Sequence, residues 1–265
     1  MYEIVLNKNK SVGKIVFIVE GDKKEHTLLG HLFTNILDYS VVDVKRNRVP
    51  YSKYISNTNP NSRIFVISAE TSNVKSAGLD GKEYLDNIFS TLYQDYSLDI
   101  SNAAVYYIFD RDNESNLFSE AEKLTKILRN SRDNGVEANG MFLLSYPCIE
   151  AYIKSCFDEC ICERIGTPKD LKKSVNAPKY QYNKMDVESI KYACCNMLRT
   201  INDICGRELV ESDLDDFSEI GTKILDEENQ MYLDKREYFL LSLLSIAFLD
   251  LGILEINIVN EGTRI

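Results

Sequence analysis

Tryptophan is absent from this 265-residue chain, and histidine nearly so, with two residues. His26 and His31 lie five apart, too far round a helix to share one metal face, which excludes a histidine-built zinc centre. Seven cysteines are present, but no pair has CxxC spacing and an odd number fits no disulfide framework. The expectation is reduced thiols in a cytoplasmic protein, with Cys148, Cys156, Cys160 and Cys162 as buried apolar-like side chains. No GxxxxGK[ST] loop is present, so the chain shows no sign of its own ATPase, and no GxSxG disfavours a serine hydrolase. Met1 to Lys14 lack the apolar region and cleavage site of a signal peptide. The longest apolar stretch, Tyr238 to Leu254, is interrupted by Ser242, Ser245 and Asp250, and reads as a buried helix rather than a membrane span.

Basic charge is also in short supply. The net charge of −10 argues against a protein that coats nucleic acid through a broad basic surface. The imbalance is uneven: residues 1–70 hold 10 basic and 7 acidic residues, whereas residues 206–265 hold 5 and 14. A nucleic acid should therefore approach from the N-terminal side. The run Lys45, Arg46, Arg48 reads as a solvated face.

What is present is an alternation of short apolar runs and helical stripes. Lys14–Val19, Ile64–Ser68, Ala103–Phe109 and Met141–Leu144 read as buried strands, with Val41–Val44 a shorter candidate. Helical stripes follow at 28–37, 84–92, 117–128 and 149–157. This order predicts an α/β fold, a mostly parallel sheet with flanking helices, over residues 1–160. Residues 161–265 read as a mainly helical region: a helix start at Thr167-Pro168, then helices over Asp186–Cys205 and Lys235–Leu251, with a weak strand at Ile256–Val259.

Two acids share one geometry. Glu20 ends the first strand of the sheet and Asp110 the third, and ligand sites in open α/β sheets form beyond the carboxyl ends of parallel strands. Asp112, two residues on, would point the same way in an extended segment, and Gly21 would let the backbone turn tightly. Three carboxylates on one rim repel one another unless a cation is bound, and Mg²⁺ or Mn²⁺ takes such oxygen ligands together with substrate phosphate. The plainer alternative is that each acid caps a following helix or faces solvent. Lys24 and Arg111 flank the acids and could contact a phosphate. His26, close in sequence to Glu20, reads as a solvated helix position.

The segments "IVFIVEGDKKEHTLL" and "VYYIFDRDNES" resemble the two motifs of TOPRIM domains, a strand into Glu-Gly and a strand into Asp-x-Asp. "LLSYPCIEAYI" resembles a third segment of the RloB-like branch, akin to OLD-family nucleases and associated with prokaryotic antiviral defence. The resemblance spans about residues 14–157. It implies a Rossmann-like TOPRIM fold and a metal-dependent nuclease, with Glu20, Glu25, Asp110 and Asp112 catalytic and Glu20, Asp110, Asp112 and Glu150 holding Mg²⁺ or Mn²⁺. It further implies a DNA or RNA substrate and a separate ATPase partner. The sequence departs from that branch at Ser145-Tyr146-Pro147, where Asn more often precedes Pro, and at Ile149 and Tyr152, which replace larger aromatics. The competing expectation is a non-catalytic TOPRIM-like module that binds nucleic acid, a nucleotide or a partner ATPase.

Overall fold

The computed structural model describes residues 2–7, 10–21, 23–43, 51–68, 90, 93–94, 102–111, 125–128, 140–159 and 163–258. Its centre is a seven-stranded sheet. In spatial order the strands are β10 (Leu241–Ser242), β7 (Met141–Tyr146), β6 (Ala103–Asp110), β2 (Lys14–Val19), β5 (Arg63–Ser68), β4 (Tyr51–Ser56) and β3 (Tyr39–Asp43). The central four, β7-β6-β2-β5, are parallel. At the edges, β10 pairs antiparallel with β7 and β4 antiparallel with β5, and β3 pairs antiparallel with β4. The sequence expectation of an α/β fold around a parallel core therefore holds, with antiparallel edges added.

Parallel strands covered on both faces read as continuous apolar runs, and these do. Residues 15–19, 64–67 and 141–146 are buried without a break. The helix α1 (Lys24–His31) continues into a π-helical turn, Leu32–Ile36, and lays Leu28, Leu29, Leu32, Phe33 and Ile36 on the sheet. Phe33 meets Phe17 of β2 at 5.5 Å between ring centroids and Tyr54 of β4 at 5.3 Å. The stripes expected at 84–92 and 117–124 and the run Lys45, Arg46, Arg48 lie outside the described residues, as do Cys160 and Cys162.

The C-terminal residues return to this core. The short helices α2 (Glu150–Ser155) and α3 (Pro168–Ser174) precede α4 (Val187–Cys205), which is capped by Asp186 through a reciprocal box with Ser189 and ends at Gly206 in the left-handed conformation. Thr167 caps α3 by accepting from the Asp170 N–H. After α5 (Ser218–Lys235), the helix expected over Lys235–Leu251 is broken. Arg236 adopts a left-handed φ of 57° that ends α5. Residues 238–239 form β9, paired with β8 (Arg164–Ile165), and β10 joins the central sheet before α6 (Leu244–Asp250) begins. A run that is apolar all round carries no period, so it does not distinguish strand from helix. The weak C-terminal strand is present as β11 (Leu254–Ile258), paired antiparallel with β1 (Tyr2–Leu6), which the sequence reading missed. One buried cluster runs from Ile4 to Leu254, across residue 160. No helix among the described residues is long and apolar enough to cross a membrane.

Candidate metal centre

The register of the parallel strands brings the acids together. Val19 of β2 pairs with Ile108 of β6, so Glu20 leaves its strand beside the last turns of its neighbour, and its N–H donates to the Ile108 carbonyl at 3.2 Å. Asp110 pairs with Ser145 of β7. The Glu20 carboxylate accepts from the Asp110 backbone N–H at 2.8 Å. Asp110 in turn accepts from the Ile149 N–H at 2.8 Å, at the start of α2. That bond ties Asp110 to the start of the helix after β7, not to a helix following its own strand, so Asp110 serves the fold as well as the rim. Asp112 lies outside the described residues.

Two further carboxylates lie close by, but among the described residues the ligand atoms that meet are those of Asp110, Cys148 and Glu150, without Glu20 or Glu25. Glu150, fully buried on the first turn of α2, is ion-paired to Lys24, while its Oε2 has no hydrogen-bond partner. Ligand atoms of Asp110, Cys148 and Glu150 all lie within 4.8 Å of one another. Glu25, also buried, lies against Gly21: a Cβ at Gly21 would come within 2.7 Å of a Glu25 carboxylate oxygen. The space left by the glycine is thus taken by the protein's own acid, and a side chain there would displace it.

The electrostatics follow from this crowding. Burial pushes the Asp110 carboxyl well above its ordinary range, and Glu20, Glu25 and Glu150 add to the rise. Burial also raises Glu25, with Glu150 adding and Lys172 and Lys24 opposing. The Cys148 thiol is pushed strongly up by burial and by Glu150 and Asp110, which keeps it protonated. Hard divalent ions such as Mg²⁺ and Mn²⁺ prefer oxygen donors, which the carboxylates here supply.

Several expectations need correction. Arg111 does not reach toward a phosphate: it is fully buried and donates to the Asn229 side chain of α5 at 3.0 Å. A residue following a strand end alternates to the opposite face, and this one enters the core beneath α5. His26 is not a solvated helix position. Its Nε2 meets the Ser68 hydroxyl at 2.9 Å, and Ser68 donates to the Gly21 carbonyl at 3.2 Å, tying the Glu20-Gly21 turn to the end of β5. Sequence reasoning missed the approach of Cys148 and of Lys172; only the third dimension brings the latter to the rim.

No family model matches this chain, and neither a curated protein nor a solved structure does.

Proposed function

We propose that this rim is a TOPRIM-type acidic site and that the protein is a metal-dependent phosphodiesterase acting on DNA or RNA. The observation that carries the reading is the convergence of Glu20 and Asp110 at the carboxyl ends of adjacent parallel strands, with Glu150 facing Asp110. The donor set fits a hard divalent ion. It offers several carboxylate oxygens, a buried Glu150 oxygen with no hydrogen-bond partner, and an Asp110 carboxyl whose charge is disfavoured by burial and by neighbouring acids. Glu20, Asp110 and Glu150 would hold Mg²⁺ or Mn²⁺, joined by Asp112 if the resemblance extends to it. The ion would supply charge neutralisation at the phosphate and a more acidic water. Glu25, raised by burial and held against Gly21, is suited to accept a proton from the attacking water. Lys24, at the solvent edge of the Glu150 pair, would orient a phosphate oxygen. A role in antiviral defence, beside a separate ATPase, rests on the resemblance alone.

A non-catalytic module remains the second reading, favoured by one observation. Glu20, Asp110 and Glu150 each already bind a group of the protein. Cleavage assays separate the two. Activity on a mixed panel of DNA and RNA should disappear in EDTA and return with Mg²⁺ or Mn²⁺. Glu20→Gln and Asp110→Asn should each lower the rate by on the order of a hundredfold or more. Robust cleavage in EDTA would sink the metal reading.

A further inference from the structure

Residues 168–184 hold five lysines, at 169, 172, 173, 179 and 184, against one acid, Asp170, in a chain of net charge −10. All five are exposed. They ride on α3 and on two short 3-10 turns, Pro178–Tyr180 and Tyr182–Lys184. The ion pairs made by Lys173 with Asp170 and by Lys179 with Asp158 are surface pairs, which exchange readily for a phosphate.

The same segment walls a cavity of about 570 Å³, to which it contributes Asn176, Gln181, Tyr182 and Asn183, while Lys24 and His31 come from the α1 side. The cavity adjoins the acid rim. Lys24 lines it and is ion-paired to Glu150. Tyr182 lines it as well, its hydroxyl pushed up to about 12 by burial and then by Glu150 and Glu25. Its ring also packs against the core, so it is held in place.

We propose that residues 168–184 form a strip for a single nucleic-acid strand, in which the lysines hold the phosphodiester backbone and the cavity at Tyr182 takes one unpaired base beside the acid rim. The inference deepens the phosphodiesterase reading and rests on it for the role of the rim. The chemistry is matched at three points. A fixed aromatic ring provides a stacking face for any base. The amides of Asn176, Gln181 and Asn183 carry both donors and acceptors, as exposed base edges do. The volume lies within the range of small-ligand sites, about 300–1,000 Å³, and admits one base; a base paired within a duplex would first have to flip out, at a cost of about a few kcal/mol that an unpaired base does not carry. A narrow lysine strip also reconciles nucleic-acid binding with an acidic chain, since phosphate contact needs local rather than net positive charge.

The test is binding by the full chain in EDTA, read by fluorescence anisotropy with labelled oligo-dT, oligo-rU and a duplex of equal length. Both single strands should bind about tenfold or more tightly than the duplex. Tyr182→Ala should weaken single-strand binding roughly tenfold or more, while Tyr182→Phe, which keeps the stacking face, should restore it. Replacing Lys169, Lys172 and Lys179 together with Gln should reduce the salt slope by about 2, at ~0.7 per phosphate contact. The proposal is overturned if no single strand binds, if the duplex binds equally well, or if these variants leave affinity and slope unchanged. Its failure is distinguishable from that of the nuclease reading. Strands held by this strip but never cut would remove the nuclease alone, and strands cut while the strip variants bind normally would remove the strip alone.

Discussion

Asp110 sits in a conflict that the fold tolerates. Its carboxylate is wanted by the Ile149 N–H, yet burial and three neighbouring acids penalise its charge. An asparagine keeps the accepting oxygen and removes the charge. Because the folded carboxyl titrates above its ordinary value of 3.8, the metal-free protein is most stable where Asp110 is protonated in both states. It loses stability as pH rises from there toward the folded value. Asp110→Asn should therefore melt higher than wild type in EDTA at pH 7, and the gap should close toward pH 4. Adding Mg²⁺ should raise the wild-type melt and leave the variant unmoved. Melts in EDTA and in Mg²⁺ across a pH series check both parts, and a destabilised but fully active Asp110→Asn would end the case for the site. Glu20 and Asp110 were legible in the sequence because a strand-ending acid has one geometry, fixed by the strand before it. Arg111 was not, because adjacency along the chain does not reveal which face a residue takes once the strand has ended.

Helix α5 holds a buried carboxyl of its own. Glu228 is fully buried; its Oε2 accepts from the Phe239 N–H at 3.0 Å and its Oε1 has no hydrogen-bond partner. Burial raises its carboxyl well above the ordinary 4.5. The unfolded chain ionises first, so this residue costs stability progressively above about pH 4.5, up to the folded value. Glu228→Gln retains the acceptor for Phe239 and should flatten that dependence, with an advantage over wild type at pH 8 and little at pH 4. Glu228→Ala strands the Phe239 N–H and should instead cost about 1–3 kcal/mol at pH 4, a cost that shrinks at pH 8 by the margin the glutamine gains. Denaturant titrations at the two pH values distinguish these outcomes, and a Glu228→Gln advantage independent of pH would refute the burial argument. At this scale the strongly periodic elements, α1 and α4, were readable from their apolar stripes. The stretch after Lys235 was not: the left-handed turn at Arg236 and the pairing of Leu241 with Tyr146 are imposed by the sheet that receives them. The lysines of residues 168–184 were visible in the sequence, but their meaning depends on the cavity they wall.

Across the whole molecule, the sequence suggests a break near residue 160 and the packing supplies ties across it. Arg111 is buried against Asn229, Ser145 shares a hydrogen bond with Ser242, Tyr106 donates to Asp250, and β1 finds its partner in β11. The shift to helical patterning after residue 165 marks a change of element, and the buried cluster continues across it. A fragment of residues 1–160 would leave a buried guanidinium without Asn229, β1 without its ladder, and β7 without β10 and the covering α6. Losing the apolar partners that the C-terminal helices supply to the shared core would remove a large part of the ~5–15 kcal/mol that holds a domain together. The 1–160 fragment should therefore lack a cooperative melt and aggregate on expression, whereas the full chain should unfold in one transition, coincident by circular dichroism and tyrosine fluorescence. Mg²⁺ should move that single transition as a whole, since the rim acids and the C-terminal helices share one core. A 1–160 fragment that melted cooperatively and was stabilised by Mg²⁺ would refute the coupling and restore the sequence's division of the chain.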